Sequence, residues 1–374
     1  MKHLVLLGAG HAHVQVLKRY AELVRHGALP PKITLVTPHP RQLYSGMVPG
    51  FVAGHYALEQ CVIALEPLLT GTPIRWLQHS VSALDVTHNQ VTLDDGTVLD
   101  FDWLSVNTGA VQDRVALDAA MPGVREHGLF VRPIEAFGVL WPRVVAMAQT
   151  RALRLAVVGG GAAGIELAMA VRQRLPGAAV TLLTGGTALA ANYPPAVQAR
   201  VLRALKNRQI TVLTEAASGF AAGEVRRASG ARLACDVPLI ATGAQAPAWL
   251  QGSGLTLDAQ GFIAVDACLR AASHPHVFAA GDVSSRVDRP VARSGVYAVR
   301  AGAALATNLN AALSGQPLKA HQPPARTLNL LSCGDREAIA SWGPLSAQGR
   351  WVWWLKDHID RGFIRRYQAR AHQG

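Results

Sequence analysis

The chain has 374 residues, of which half are hydrophobic and only 16% are charged, and its formal net charge is +12 at pH 7. This length exceeds what one hydrophobic core usually supports, so two large domains and a small third are expected. The apolar composition excludes a disordered chain. Excess basic charge suits nucleic acid, anionic lipid or an anionic cofactor, but without a lysine-rich block or zinc-finger spacing we predict no nucleic-acid partner.

The cysteines are scattered and form no CxxC or CxxxxC pair: Cys61, Cys235, Cys268 and Cys333. Isolated thiols fit a reducing compartment, and a disulfide-exchange mechanism lacks its usual reagent. The apolar run after Met1 is too short for a signal peptide, and no stretch of about 20 residues is apolar enough to cross a bilayer. We therefore predict a cytoplasmic protein, with peripheral attachment to the inner face of the membrane left open.

The first predicted strand ends in a glycine turn, Leu4-Val5-Leu6-Leu7-Gly8-Ala9-Gly10-His11. Such glycines let the backbone approach a pyrophosphate, and the N–H groups of the helix that follows face the phosphates. Helical spacing over 14–24 and a second strand over 33–36 complete a βαβ unit. Thr37 stands where a carboxylate for a ribose hydroxyl is expected, and His13 stands where the fingerprint has its third glycine.

A loop and a meander are predicted next. Arg41 to Tyr56 has turn residues but no clear period, so we interpret it as a loop facing a cofactor, with a plain connection as the alternative. Short β-patterned runs follow over 74–107, with Asp95-Gly96 as a hairpin signal. They predict a small antiparallel meander, closed by a strand and the turn Thr108-Gly109-Ala110.

A second glycine turn follows a connecting helix, Val158-Gly159-Gly160-Gly161-Ala162-Ala163-Gly164. Its distance from the first turn, 159 − 8 = 151 residues, is about what one domain needs. The next predicted strand ends in Thr184, where an acid would favour NAD and a nearby arginine NADP, so the choice between NADH and NADPH stays open. Thr242-Gly243-Ala244 repeats Thr108-Gly109-Ala110, which indicates an internal duplication.

The last third contains the turn Ala280-Gly281-Asp282 and a predicted helix over 294–314 with Ser294 as N-cap. A final amphipathic helix is predicted over 351–367, with an apolar face formed at i+4 spacing by Trp351, Leu355, Ile359, Phe363 and Tyr367. Because 350–374 carries a net charge of +4, this helix has a membrane-surface character. A helix docked on the protein's own core, or a dimer contact, is the alternative.

The order and spacing of these motifs resemble the two-dinucleotide-binding-domain flavoproteins, the pyridine nucleotide-disulfide oxidoreductase superfamily, over residues 1 to about 320. The resemblance implies an α/β fold with two Rossmann-like domains, each a parallel sheet with a small antiparallel meander. We expect an FAD-binding domain over 1–125 and 260–320, and an NAD(P)H-binding domain over 126–259. A small α+β segment over 321–374 would carry the amphipathic helix.

In that superfamily the first turn holds the FAD pyrophosphate, the Gly-Asp turn meets the ribitol, and the next helix start points at the flavin's pyrimidine edge. The N–H groups of a helix start can stabilise the negative charge of a reduced flavin. The FAD residues implied are Gly8, Ala9, Gly10, His11, Thr37, Arg41, Ser45, Val81, Thr108, Gly109, Gly281, Asp282, Ser294, Gly295 and Val296.

The second turn would hold NAD(P)H through Gly159, Gly161, Ala162, Ala163, Gly164, Thr242 and Gly243. Glu166 matches an acid that relatives keep beside the nicotinamide and the flavin ring, so it is our catalytic candidate. A first-turn glutamate favoured by the helix dipole is the alternative. We predict no metal site, because His11 and His13 lack a third ligand nearby.

A more specific resemblance links the chain to the flavoprotein module fused to selenophosphate synthetase in some organisms. It rests on 8–13, 44–50, 293–300 and 340–344. More distantly, the chain resembles type II NADH:quinone oxidoreductases, which attach to membranes by C-terminal helices. Sulfide:quinone oxidoreductases of the same superfamily need cysteines near the flavin.

These observations predict an FAD-dependent oxidoreductase that accepts hydride from NAD(P)H and passes electrons to a non-disulfide acceptor, with a quinone as first choice. The alternatives are a flavoenzyme of selenium or sulfur metabolism, with a selenium or sulfur species as acceptor, and a non-catalytic flavin-binding module. A homodimer is left open.

Overall fold

The computed structural model describes residues 2–368; Met1 and the predicted tail beyond 368 lie outside the described residues. The helices, in chain order, are α1 (His13–Arg25), α2 (Val48–Val52), α3 (Glu66–Leu69), α4 (Arg114–Ala120), α5 (Val124–His127), α6 (Ile134–Thr150), α7 (Ala162–Arg174), α8 (Pro195–Asn207), α9 (Gly295–Leu313) and α10 (Arg350–Arg365). Single 3-10 turns cover Ser45–Met47, Leu58–Cys61, Ala248–Leu250 and Gly281–Val283.

The strands, in chain order, are β1 (His3–Leu7), β2 (Lys32–Val36), β3 (Arg41–Leu43), β4 (Val62–Ala64), β5 (Arg75–Leu77), β6 (Val81–Asp85), β7 (Gln90–Leu93), β8 (Val98–Asp100), β9 (Trp103–Val106), β10 (Leu129–Phe130), β11 (Arg154–Val158), β12 (Ala179–Leu183), β13 (Thr211–Leu213), β14 (Ala217–Ala221), β15 (Glu224–Arg227), β16 (Arg232–Ala234), β17 (Val237–Ile240), β18 (Ile263–Val265), β19 (Val277–Ala279), β20 (Ser284–Arg286), β21 (Leu328–Ser332), β22 (Ala338–Trp342) and β23 (Leu345–Gly349).

Two five-stranded parallel sheets share one plan. Their strand orders are β19-β9-β1-β2-β5 and β10-β17-β11-β12-β13. The central strands are continuous apolar runs because both faces are covered, and Leu4 to Leu7 of β1 are fully buried. In each sheet a central strand, β1 or β11, runs through a glycine turn into a helix. The predicted α/β fold with paired dinucleotide-binding units is confirmed.

Each parallel sheet is accompanied by an antiparallel meander, β6-β7-β8 in the first case and β14-β15-β16 in the second. The chain leaves the first sheet after β9, builds the second from β10 to β17, and returns to the first at β19. This course supports our proposed division into 1–125 with 260–320, and 126–259.

The C-terminal segment is a three-stranded antiparallel sheet, β21-β22-β23, followed by α10. Helix α10 docks on the chain itself through buried Val352, Phe363 and Ile364, whereas Trp351 is 60% and Ile359 44% exposed. The predicted shared face is therefore wrong for Trp351 and Ile359. Each i+4 step advances about 40° around the helix, so five such positions spread over a wide arc. Within 2–368 no helix combines the length and apolar character needed to span a bilayer.

Candidate functional site

The first glycine turn is shaped by the backbone that follows β9. Gly8 has a φ of +82°, which favours glycine. A Cβ on Gly8 would lie 2.7 Å from the carbonyl oxygen of Asn107, and one on Gly10 would lie 2.5 Å from the same atom. Any residue larger than glycine would therefore require the backbone to move. With glycine at both positions, the turn can bring its N–H groups close to a ligand.

A cavity of about 770 Å³ lies along the carboxyl ends of the first sheet's strands. Its volume is in the range of pockets that bind organic cofactors. All but one of the predicted FAD residues line it, and they are Gly8, Ala9, Gly10, His11, Thr37, Arg41, Ser45, Val81, Thr108, Gly109, Gly281, Asp282, Ser294 and Gly295. Val296 does not line the cavity, because each step along α9 turns the side chain by about 100°.

Two buried polar atoms in this cavity have no partner among residues 2–368. They are Oδ1 of Asp282 and Nε2 of His11. Leaving such atoms unpaired costs about 1–3 kcal/mol each, so a ligand with hydroxyl and heterocyclic polar groups would relieve both. Burial lowers the pKa of His11 to about 4, against the opposing effect of Asp282, so its ring is neutral. These groups fit the ribitol and ring system of FAD.

The start of α9 also faces the cavity. Ser294 occupies the predicted N-cap position, but its side chain makes no capping hydrogen bond. The predicted start of the helix is therefore confirmed, and among residues 2–368 no side chain accepts a hydrogen bond from the first N–H groups of the helix. Ser45 approaches closely, with its Oγ 3.2 Å from where a Cβ on Gly295 would lie.

Sequence reasoning missed several residues that line the cavity, above all Arg132. Its Nη2 lies 3.2 Å from Oδ2 of Asp282, and its Nη1 donates to the carbonyl of Ala110. Arg132 follows β10 and belongs to the chain entering the second sheet, 150 residues before Asp282. Only the tertiary fold brings the pair together, so no local motif could have identified it.

The second glycine turn has the geometry of a dinucleotide-binding turn. Gly159 has a φ of +134°, and a Cβ on Gly164 would lie 1.9 Å from the Gly159 carbonyl oxygen. Gly161 immediately precedes α7, which begins with Ala162 and Ala163. Thr242 and Gly243 follow β17, the neighbour of β11, and Oγ1 of Thr242 is buried without a partner among the described residues. The predicted NAD(P)H residues thus gather at one sheet edge.

Thr184 is not an available ribose partner. Its hydroxyl donates to the carbonyl of Thr187 at 2.8 Å, and the residue is buried. This internal bond stabilises the turn after β12 and leaves the choice between NADH and NADPH to other residues.

Glu166 lies under the C-terminal segment and does not line the 770 Å³ cavity. Its Oε1 accepts a 2.7 Å hydrogen bond from the backbone N–H of Ser332. Burial raises the pKa of Glu166 to about 7, although nearby Lys356 lowers it. No sequence motif connects Glu166 to this lysine, because 190 residues separate the two (356 − 166 = 190).

Lys356 is a half-buried cation of α10. Its Nζ donates to the carbonyl of Gly46 at 2.7 Å and to Oδ2 of Asp360 at 2.8 Å. Burial disfavours its charge, but the carboxylates of Asp360 and Glu166 outweigh burial and raise the pKa of Lys356. Because Gly46 follows Ser45, which lines the cavity, the ammonium of Lys356 adjoins the cavity wall.

Aromatic contacts connect α10 to the same wall. The rings of His11 and Tyr44 are 5.3 Å apart, and those of Tyr44 and Phe363 are 4.7 Å apart. Such edge and tilted pairs contribute about 0.5–1.5 kcal/mol each beyond burial. The C-terminal helix is therefore part of the site as well as of the fold.

Replacing Glu166 by glutamine is expected to change how stability depends on pH. In the parent, the folded carboxyl ionises near pH 7 and the unfolded one near 4.5, so stability present below 4.5 is lost as pH rises through 7. The variant lacks this loss of up to about 3 kcal/mol. Urea unfolding at about pH 5 and pH 8 measures the difference. Exposed Glu59→Gln is the control, and parallel pH dependences of Glu166→Gln and parent would contradict the assignment.

The cysteines do not offer a reactive thiol to the cavity. None of the four lines it, and within residues 2–368 all four are free. Burial raises the pKa of Cys61 and of Cys333 to about 12 and that of Cys235 to about 11. Since the thiolate is the reactive form, these side chains are inert packing groups.

Known proteins with this fold include two solved structures that match nearly the whole chain. NDH2 from Plasmodium falciparum in complex with NADH has a TM-score of 0.80 at 13% identity, covering 98% of this chain and 97% of that one. The sulfide:quinone oxidoreductase from Aquifex aeolicus has a TM-score of 0.78 at 16% identity, covering 98% and 91%. These likenesses support the fold.

Among relatives by sequence, the demethylphylloquinone reductase NdbB of Synechocystis sp. is 26% identical over 329 residues, which cover 84% of this chain and 80% of that protein. Residues 2–302 match the family described as Pyridine nucleotide-disulphide oxidoreductase. The match includes both glycine turns and the Gly281-Asp282 turn. The chain therefore belongs to the pyridine nucleotide-disulphide oxidoreductase family, as an FAD-dependent oxidoreductase whose electron donor is NAD(P)H.

Proposed function

We propose that the chain reduces a quinone, with NAD(P)H as the electron donor. The observation that carries this proposal is Lys356, whose ammonium bonds Gly46 beside a cavity lined by no cysteine and whose charge lowers the pKa of Glu166. The names of similar proteins agree with it, since NdbB is a demethylphylloquinone reductase. The link to selenophosphate synthetase stays a prediction.

Quinone reduction requires two electrons and two protons. Bound FAD would supply the two-electron chemistry, by accepting hydride from NAD(P)H. The ammonium of Lys356 has three N–H donors, and within the described residues two of them bond Gly46 and Asp360, so the third would be available to a quinone oxygen. With a pKa of about 7, Glu166 can hold and release a proton near neutral pH. This pair therefore has the charge and the proton capacity that a quinone site needs.

Acceptors that react through sulfur are less well supported. Disulfide and sulfide chemistry would require a reactive cysteine near the flavin. The cavity is lined by none, and three of the four thiols are buried with raised pKa values. A quinone needs no covalent partner, so it suits this cavity better.

The reaction can be divided into halves by anaerobic rapid mixing. NADH and NADPH, each in excess, should bleach the flavin absorbance, and a soluble short-chain quinone should then restore it within the turnover time. Polysulfide and a small disulfide are the comparison acceptors, because each contains a sulfur–sulfur bond that can be reduced. An unbleached flavin would overturn the donor half, and faster reoxidation by either sulfur compound than by the quinone would overturn the acceptor half.

We also propose that a lipid surface lies against the outer side of α10. Trp342 and Leu345 of the β22–β23 hairpin and Trp351 and Trp354 of α10 are 48–66% exposed. Exposed tryptophans with basic neighbours suit the interface of an anionic bilayer, in which long-chain quinones dissolve. This surface would place the C-terminal helix between the lipid and the cavity.

The double variant Trp351→Ser/Trp354→Ser is expected to lose binding to vesicles that contain an anionic phospholipid. Both indoles are mostly exposed, so folding and flavin content should be unchanged. Co-sedimentation measures the bound fraction, which should fall about tenfold, since two interfacial aromatic groups contribute more than 1.4 kcal/mol together. Leu29→Ser removes an even more exposed apolar side chain elsewhere as a control. Equal binding of the double variant and the parent would refute the lipid contact.

A further inference from the structure

Asn107, at the end of β9, is a buried side chain that belongs to none of the predicted motifs. Its Oδ1 accepts hydrogen bonds from the backbone N–H groups of Ala12 and His13, both at 3.0 Å. Its Nδ2 donates to the carbonyl of Ala280 at 2.6 Å. The donors on one side and the acceptor on the other fix the orientation of the amide. One side chain thus joins the start of α1 to the turn that carries Asp282.

These bonds determine which N–H groups of the glycine turn remain for a ligand. Gly8 donates to the carbonyl of Val36 at 2.8 Å, and Gly10 donates to the Asn107 carbonyl at 3.2 Å. Ala12 and His13 donate to the Asn107 side chain. In the part of the chain from 2 to 368, no acceptor bonds the N–H groups of Ala9 or His11, and both residues line the cavity. The N–H groups of Ala9 and His11 therefore remain for a ligand, whereas those of the residues between and after them bond the protein itself.

His13 provides a second brace at the position where the fingerprint has glycine. Its Nδ1 donates to the carbonyl of Gly8 at 2.6 Å, so its Nε2 accepts from the hydroxyl of Ser105 at 2.8 Å. The ring is fully buried, and burial lowers the pKa of His13 to about 4, against the raising effect of the Gly8 carbonyl. The imidazole of His13 is accommodated because Ser105 of β9 forms a hydrogen bond with it.

We propose that Asn107 is a positioning residue for FAD, which holds the pyrophosphate turn and the Gly281-Asp282 turn in one fixed relation. The proposal rests on the use of FAD by this family. The two turns would contact opposite parts of the cofactor, and Asn107 is bonded to both. A Cβ on Gly281 would lie 2.8 Å from Nδ2 of Asn107, so the turns also touch through this side chain. Losing the amide should let the turns move independently and weaken FAD binding.

The chain offers a matched control in Asn308 of α9. It is equally buried, and its side chain also makes three hydrogen bonds to backbone, with Nδ2 donating to Cys268 and Lys319 and Oδ1 accepting from Lys319. Asn308 does not line the cavity. Alanine at either position therefore removes the same number of bonds from the interior, but only one position connects the two turns.

The test compares FAD affinity and stability in Asn107→Ala and Asn308→Ala. Protein freed of flavin is titrated with FAD, and melting temperatures are measured with and without saturating FAD. Both variants should lower the melting temperature of the FAD-free protein similarly. Only Asn107→Ala should raise the Kd for FAD, by about 10- to 100-fold, and shrink the FAD-induced rise in melting temperature. If either alanine variant does not fold, the serine pair Asn107→Ser and Asn308→Ser replaces it.

A Kd for Asn107→Ala within about twofold of the parent would overturn the inference, and so would an equal loss of affinity in Asn308→Ala. Both results would leave the proposed enzyme intact, because the parent would still bind FAD. A parent protein that binds no FAD in the same titration would instead refute the cofactor assignment itself.

Discussion

Asp282→Ala is expected to fold and to lose its flavin. One carboxylate oxygen of Asp282 pairs with Arg132, and the other is buried in the cavity without a partner among residues 2–368. Hydrogen bonds to a charged group contribute about 1.5–3 kcal/mol each, and the variant also leaves the Arg132 cation unpaired. The Kd for FAD should therefore rise about 100-fold or more. The ratio of flavin to protein absorbance in the purified protein reports this loss directly.

The control for this variant is Asp288→Ala. Asp288 also pairs with an arginine, with its Oδ1 2.7 Å from Nε of Arg286, but it does not line the cavity. It should keep its flavin. Retention of FAD by Asp282→Ala at the parent's affinity would show that the carboxylate does not meet the cofactor.

Lys356→Met is expected to separate the two halves of the reaction. Flavin reduction by NAD(P)H should stay within about twofold of the parent, because Lys356 lies outside the second glycine turn. Reoxidation by a quinone should slow about 10- to 100-fold, since the proposed donor to the quinone oxygen is removed. Anaerobic stopped-flow absorbance measures each half separately.

The pH dependence of flavin reoxidation by the quinone gives a second measurement of the role of Lys356. Lys356 lowers the pKa of Glu166, so removing the cation should move that pKa above about 7. If protonated Glu166 supplies a proton, the rate of quinone reduction falls as pH rises through this pKa, and the fall should shift to higher pH in Lys356→Met.

Two further variants complete the comparison. Lys18→Met is the control, because Lys18 also donates to a backbone carbonyl beside α10, that of Arg366, but lies away from Glu166. Lys356→Arg retains the charge and should restore part of the rate. Equal slowing of both half-reactions in Lys356→Met would count against a quinone role and point to a general loss of structure.

The fold and most of the FAD cavity were predictable because their signals are local. Gly8 and Gly10 are required by backbone that approaches within 3 Å, and the buried strands before and after them are short apolar runs. A glycine turn, its strand and its helix lie within some 30 residues, a span over which sequence periodicity is informative. The same applies to Gly281 and Asp282, whose turn follows β19 directly.

The parts that could not be predicted depend on contacts between distant segments. Asn107 bonds Ala12 and Ala280, which are 95 and 173 residues away. Lys356 reaches Gly46 across 310 residues. Neither residue type carries a motif, and a lone asparagine or lysine is most often a surface group. The environment of Glu166 was unpredictable for the same reason. It depends on Lys356 of α10, a helix that is far in sequence from α7, which carries Glu166.

The ion pair between Arg132 and Asp282 has a consequence for motion. Arg132 follows β10 of the second sheet, whereas Asp282 follows β19 of the first, and Val111 and Gln245 exchange backbone hydrogen bonds of 2.9 and 2.7 Å nearby. A hinge rotation of one sheet against the other would break all of these bonds at once. These contacts therefore oppose a swinging motion of one sheet against the other, and Arg132 links the second sheet directly to the carboxylate expected to meet the ribitol.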